Sequence, residues 1–431
     1  MLSSFTALVK NSFAEVIRQP IYGILLVMGM VMIGFSPVIT MFTMMEDVKL
    51  TIDMGLGTIF MVGIVLAVLS ATQVISKEVE SKTAGAVLSK PVGRMTFVLG
   101  KFIGVSLAMW LASYLYTVML LLTVRMGVPS TAAYTVDWPV LIGQVLPLVL
   151  AVLFGMHANY FYRWNFTATA VRSGAVLYTI AILGLLFVTK DWQFAWIAEG
   201  FVAENFEQIF LAAVLVGLGV WLISAVALVA STRLNVVPNV VVCLGVFFVG
   251  MVSQYFFGWT VDDQWVRWEP QQDSPEVEIT GRVETEQGEP VEGVALTGAP
   301  MRPVTDEDGD YRAIVARGES GTITPDRTGL EFSPSERSYT DVVQDRRGQD
   351  FTAQKRDRDA LFYLEKAWWW VARVGYHVVP SLQFFWVADQ LMRPEPYIPL
   401  AYVGRTALYA VFWCGAMVAL GAFLFEHREV I

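Results

Sequence analysis

"SKEVESKTAGAVLSKPVGR", Ser76 to Arg94, packs lysines and glutamates between two stretches with no charge at all, Met54–Ile75 before it and Phe102–Val124 after it. A helix needs about 20 apolar residues to cross a hydrocarbon core ~30 Å thick. Both flanks meet that length, so the charged segment reads as a loop between two membrane spans. The pattern repeats along the 431 residues, of which 55% are hydrophobic and 16% charged. A soluble domain would carry about a quarter charged residues. Candidate spans fall at about 21–45, 54–75, 97–124, 139–162, 173–189, 208–231, 236–258 and 405–425. The run 21–45 is too long for a signal-peptide core, and no small-residue cleavage site follows it.

Orientation follows from where lysine and arginine gather in short loops. Lys10 and Arg18 precede the first span; Lys77, Lys82, Lys90 and Arg94 follow the second; Arg163 and Arg172 follow the fourth; Arg233 follows the sixth. The alternate loops, "EDVKLTID" (46–53) and "KDWQFAWIAEGFVAENFEQ" (190–208), are acidic or mixed. With eight spans every basic loop falls on one side. Both termini are then expected in the cytoplasm, and the segment 259–404 outside.

That outer segment holds the acidity. Residues 259–360 carry 23 acidic and 12 basic side chains, a net of −11, which leaves +2 for the rest of a chain whose total is −9. An acidic surface argues against nucleic acid as a partner. "VEITGRV", "VEGVALTG", "YRAIVA", "GTITP" and "DFTAQ" alternate or carry β-branched residues, and Gly288, Pro290, Gly309, Gly318 and Pro325 punctuate them. Short strands at that spacing predict a small β-sandwich. The tryptophan-rich "WTVDDQWVRW" (259–268) marks the exit of a helix from the bilayer. "KAWWWVARVGYHVVPSLQFFWVADQL" (366–391), broken by Pro380, predicts one or two interfacial or re-entrant helices.

The expected fold class is therefore an all-α polytopic membrane protein, six to eight transmembrane helices, with an inserted extracytoplasmic all-β sandwich. The expected divisions are an N-terminal amphipathic helix at 1–19, the first part of the transmembrane domain at 20–260, the sandwich at 272–356, interfacial or re-entrant helices at 361–404, and the last span with a cytoplasmic tail at 405–431.

On a helical projection, Val79, Thr83, Ala86, Val87 and Lys90 share one face, while Lys77, Ser81, Lys82, Gly85 and Ser89 cover another. Glu78 precedes Lys82 by four, the favourable order for a surface pair, and Pro91 stops the helix. By physics alone this short amphipathic helix is either an ordinary basic loop or a docking surface. Its residues Ile75, Glu78, Glu80, Thr83, Leu88, Ser89, Pro91, Arg94, Phe97, Gly100 and Lys101 resemble the coupling-helix region of type-2 ABC transporter permeases. The branch most similar is linked to multicopper-enzyme maturation and gliding motility. The amphipathic start, the aromatic "YHVVPSLQFFWVADQL" (376–391) and the terminal "FLFEHRE" (423–429) extend the resemblance. Lys82 departs from the glycine common in that family, and eight spans exceed its usual six.

The resemblance implies a non-enzymatic permease subunit in the inner membrane. Glu78, Glu80, Lys82, Thr83, Leu88, Pro91 and Arg94 would meet a separate cytoplasmic ABC ATPase, which holds the ATP and Mg. A second permease copy or a homologue would complete the path. The permease would hold no cofactor of its own. "ITGRV" (279–283), "GEPVEGV" (288–294) and "TDEDGDY" (305–311) resemble the carboxypeptidase regulatory-like sandwich, implying a non-catalytic module able to meet an envelope protein. A membrane anchor that displays the sandwich without transport, and an ion-coupled secondary transporter, are the competing readings.

Other chemistries fit the residues poorly. "GRMTFVLGKF" (93–102) imitates a phosphate loop, but six residues separate its glycines and Phe102 replaces the hydroxyl. His157, His377 and His427 lie far apart with no catalytic motif, and a lone His157 in the spans suits interfacial hydrogen bonding better than a proton relay. Cys243 and Cys414 lie in apolar runs, suggesting neither a disulfide nor a thiolate site. Met28, Met30 and Met32 do not converge on a helix; Met41, Met44 and Met45 do, as lipid or helix packing also would. "TDEDGDY" places glycine fourth, where a calcium loop needs it sixth, and reads as a hairpin turn. In sealed cells, a membrane-impermeant amine reagent applied from outside should leave Lys77 and Lys90 unmodified; labelling of either would invert the topology.

Overall fold

The computed structural model describes residues 2–40, 47–80, 94–127, 136–196, 206–257, 276–298, 303–318, 320–327, 329–355, 371, 379–391 and 397–426. They divide into a helical unit, to which residues 2–257 and 379–426 belong, and a β unit within 268–378.

The helical unit begins with α1 (Leu2–Ile17) and α2 (Pro20–Thr40). It continues with α3 (Asp47–Glu80), α4 (Arg94–Met126), α5 (Trp138–Tyr162) and α6 (Phe166–Leu185). Then come α7 (Phe206–Ser231), α8 (Val236–Phe257), a one-turn helix α9 (Ala388–Leu391) and α10 (Leu400–Glu426). Among the described residues, eight helices are long and apolar enough to cross a membrane: α2 to α8 and α10. The fold is that of a polytopic helical membrane protein with a β-rich domain. The fifth span is a full helix because it starts seven residues before the uncharged run, taking in Arg172.

In lipid, every backbone group must be paired within the protein, and helices associate through close packing and interhelical hydrogen bonds. The centre of this unit is α3, α4 and α7, which bury most of their lengths against one another. Side chains without bulk let them approach. A Cβ on Gly63 of α3 would stand 2.7 Å from Val220 of α7, and at the edge of this centre one on Gly29 of α2 would stand 2.7 Å from the Tyr116 ring of α4. Buried hydroxyls then satisfy carbonyls on neighbouring helices: Tyr22 donates to Ala108 O at 2.8 Å and Tyr116 to Leu25 O at 3.0 Å.

Helices α5 and α6 form a hairpin packed more on each other than on the rest. Its turn is made by Arg163, left-handed at φ 54°, and by Asn165, whose side chain accepts from Ala168 N at 2.9 Å and caps α6. At the far end one buried arginine ties three helices together. Arg125, in the last turn of α4, donates to Leu185 O at 2.5 Å and Val188 O at 2.6 Å beyond α6, and faces Asp137 at 3.4 Å. Asp137 in turn caps α5 by accepting from Val140 N.

Within the stretch expected to form interfacial or re-entrant helices, residues 379–391 are described. They form a 3-10 turn, Leu382–Phe385, and then α9, with Leu382 and Phe385 fully buried. The reason is local pairing: the Ser381 N–H donates to the Tyr409 hydroxyl, and the Tyr402 hydroxyl donates to Phe384 O. Trp386 stacks on Phe60 of α3 at 6.3 Å. Helix α10 also starts at Leu400, five residues before the expected 405. The rest of 361–404 falls mostly outside the described residues.

The β unit has two sheets. Strands β1 (Glu276–Thr285), β3 (Asp310–Ala316), β5 (Leu330–Ser333) and β7 (Phe351–Lys355) form one in the order β3-β1-β7-β5. Strands β2 (Ala295–Thr297), β4 (Gly321–Asp326) and β6 (Arg337–Tyr339) form the other in the order β2-β4-β6. Alternate residues of both, including Val277, Ile279, Leu296, Tyr311, Ile323 and Phe351, make one core. The "TDEDGDY" stretch is the turn into β3. Asp306 Oδ1 accepts from the N–H groups of Asp308 and Asp310, and Gly309 takes φ +77°. Arg282, hydrogen-bonded to Asp310, holds that carboxyl below the usual carboxylate range. The pair is exposed, so it adds little to stability.

Replacing Arg125 with leucine strands Asp137 in a buried site, a loss of about 3–5 kcal/mol. Arg125→Leu should therefore lower the melting temperature in detergent sharply, and Arg125→Leu with Asp137→Asn should recover part of it. An unchanged melting point would remove the buried pair from the account.

Candidate functional site

The charged segment lies between the end of α3 and the start of α4. Glu78 and Glu80 belong to the last turn and a half of α3, which runs on without a break from the preceding span, and Arg94 opens α4. Lys82, Thr83, Leu88 and Pro91 lie outside the described residues, as do the side chains of Glu78, Glu80 and Arg94. The structure does define what the segment is mounted on.

Helix α1 lies along the first turns of α4. Its Leu8, Ser12 and Val16 recur at helical spacing on the face turned to the bundle. Opposite them stand Gly100 and Gly104. A Cβ on Gly100 would come within 2.6 Å of Leu8, and one on Gly104 would reach 2.9 Å from the Phe13 backbone nitrogen. The G-x-x-x-G spacing puts both glycines on one helix face, where they let two backbones approach. Between them Lys101 is fully buried, and its amine meets Glu15 of α1 at 3.2 Å and lies 5.8 Å from the Phe97 ring centre. A buried ammonium without a partner would be costly, so this ion pair fixes α1 to α4 in one register. The phosphate-loop imitation "GRMTFVLGKF" is thus helical from Arg94 onward, and its lysine serves packing.

The end of α3 is held separately. The Asn239 amide, buried in α8, donates to Thr72 Oγ1 of α3 at 2.7 Å and to Ala227 O of α7 at 3.0 Å. Its oxygen accepts from Cys243 Sγ at 3.4 Å. Gly421 of α10 packs against Val229 of α7 and Val98 of α4, and Arg233 donates to Leu424 O near the end of α10 at 2.9 Å. Six helices, α1, α3, α4, α7, α8 and α10, therefore join at the base that carries the segment 81–93.

Sequence reasoning named Lys101 only as part of a motif and missed Glu15, Thr72 and Asn239. The usable signals were the glycine spacing and a lone asparagine in the apolar run 236–258. It also treated the spans as nearly free of ionisable groups. The helices extend past the uncharged runs and bring Lys101 and Arg125 inside, each against a carboxylate. His157 is exposed, its ring 4.5 Å from Phe161. Of the methionines, Met30 is buried while Met28 and Met32 are exposed, and Met41, Met44 and Met45 lie outside the described residues.

Residues 7–161 match the model of a family described as ABC-2 family transporter protein. The match opens inside α1 and closes at the end of α5, so it encloses the charged segment and both helices joined by Lys101 and Glu15. No curated protein and no solved structure matches the chain.

Gly104→Leu should push α1 away from α4 and cost about 1–3 kcal/mol by overpacking, read as a lower melting temperature and faster proteolysis within α1. Gly415→Leu is the control, because a Cβ there meets nothing within 4 Å. Equal behaviour of the two variants would refute a tight α1–α4 contact.

Proposed function

We propose that this chain is the membrane permease subunit of an ATP-driven transporter, with hydrolysis carried out by a separate cytoplasmic ATPase. The observation that carries the reading is the family match over α1 to α5, the stretch that includes Ser76–Arg94. The segment is charged, lies on the side to which the basic loops are expected to point, and joins two long helices directly.

The work proceeds mechanically. Glu78, Glu80, Lys82, Thr83, Leu88, Pro91 and Arg94 form the contact with the ATPase. Binding of ATP with Mg on that partner draws two ATPase subunits together and pushes on the segment. Helix α3 continues from the segment into the central layer, so the push reaches α4 and α7 without a hinge at residue 75. Helix α1 moves with α4 through Lys101–Glu15. Two copies of the chain, or one copy and a homologue, enclose the path. The β unit, inserted before α10, lies outside the cell and meets an envelope partner or the substrate. No ionisable relay is needed, since the energy arrives from the ATPase. Among the described residues, the buried bases Lys101 and Arg125 each face a carboxylate.

The test is subunit recovery. Glu78→Lys together with Lys82→Glu should reduce recovery of the ATPase with the tagged permease by about tenfold, a loss of roughly 1.4 kcal/mol. The melting temperature of the permease itself should be unchanged. Full recovery from the reversed variant would refute docking at this segment. Absence of any ATPase from the native complex would favour the anchor that merely displays the β unit.

A further inference from the structure

Between α2, α4, α5 and α6 runs an open apolar groove of about 560 Å³. Pro20 and Gly23 of α2 and Thr167 of α6 line one end, Met30 and Tyr178 the other. Pro20 to Met30 is ten helical residues, about 15 Å, or half the thickness of the hydrocarbon core. Several lining residues, such as Ile24 and Met28, are exposed, so the groove opens sideways from the bundle. A lateral, one-leaflet-long apolar groove in a membrane helix bundle has the dimensions of an acyl chain.

The end at Pro20 and Thr167 carries the charge. Arg18 stands two residues before Pro20, and the Asn165 side chain, capping α6, reaches Arg18 O at 3.5 Å. Arg163 sits in the turn directly before that cap. Both guanidinium groups are exposed, and neither pairs with a carboxylate among the described residues. The sequence has no aspartate or glutamate from 138 to 190 or from 20 to 45, and Glu15 is committed to Lys101. The positive end of α6 adds to the same field. Tyr162 and Trp164 are exposed beside the arginines, as side chains at headgroup level are.

We propose that this groove binds one anionic phospholipid of the cytoplasmic leaflet, with an acyl chain along α2 and the phosphate on Arg18 and Arg163. Basic pockets between membrane helices select acidic headgroups in this way. Only the choice of leaflet rests on the proposed topology; the site needs no ATPase, so failure to dock an ATPase would leave it standing.

The purified chain is placed in nanodiscs of equal parts phosphatidylglycerol and phosphatidylethanolamine, extracted into detergent, and its bound lipids counted by native mass spectrometry. Wild type should retain phosphatidylglycerol over phosphatidylethanolamine on the order of tenfold. Arg18→Gln with Arg163→Asn should abolish the preference but keep some bound lipid. Val152→Phe, which fills the groove from α5 and leaves both arginines in place, should lower retention of both lipids. Equal retention by wild type, or retention unaffected by Val152→Phe, would overturn the site. Disulfide cross-linking between copies through Val152→Cys would place a second chain in the groove and overturn it too.

Discussion

A fully buried lysine amine is costly without an anion against it, and Lys101 finds Glu15 on a different helix. That requirement, together with the two glycines that flank Lys101, fixes where α1 must lie. Loss of the carboxylate would leave a buried charge, and bulk at Gly104 would leave no room for the α1 backbone. The base of the bundle depends on this contact, because α1 has little else to hold it: it is short, amphipathic, and meets other helices far less than it meets α4. The Asn239 clamp does the equivalent for the end of α3, since an unpaired amide at that depth would be unfavourable.

The two ends of the helical unit use the same chemistry differently. At the base, polar groups join helices that are distant in sequence: α1 to α4, and α3 to α7 and α8. At the far end, Arg125 joins α4 to the α5–α6 hairpin through carbonyls and Asp137. Between these points the hairpin touches the centre lightly, and the groove beside α2 separates them. The helical unit thus has a firmly connected base and a hairpin secured mainly at its open end, opposite the Arg163–Asn165 turn.

Much of this was legible in the sequence. Runs of twenty or more residues marked seven of the eight spans, because hydrocarbon thickness leaves few alternatives; the fifth, 173–189, is 17 residues long and left the expected count at six to eight. Helix ends were harder: α3, α4 and α6 continue past the uncharged runs, since a charge at a helix end can pair or reach water. Five of the strands showed period-two patterning, whereas β5 and β6 were overlooked. "LEFS" alternates apolar and polar residues, but over four positions with none fully buried, and "RSY" is three residues long, so both signals are short. The aromatic segment 379–391 reads equally as interfacial or re-entrant, and its rings fill space between α3, α8 and α10. Which face an aromatic run turns to depends on partners that only tertiary structure supplies. The residues of the charged segment could be named from the sequence, while their support could not, since Glu15 and Lys101 are 86 positions apart.

The central claim is that α1 and the start of α4 form one body that carries force from the segment 76–94 into the spans. Its most direct test is the separation of spin labels at Lys10 of α1 and Met95 of α4, in a complex with the proposed ATPase, with and without trapped nucleotide. The account predicts an unchanged Lys10–Met95 separation within a chain while the distance between Met95 labels on the two copies shifts. A nucleotide-dependent change within the chain, or no change between copies, would contradict it.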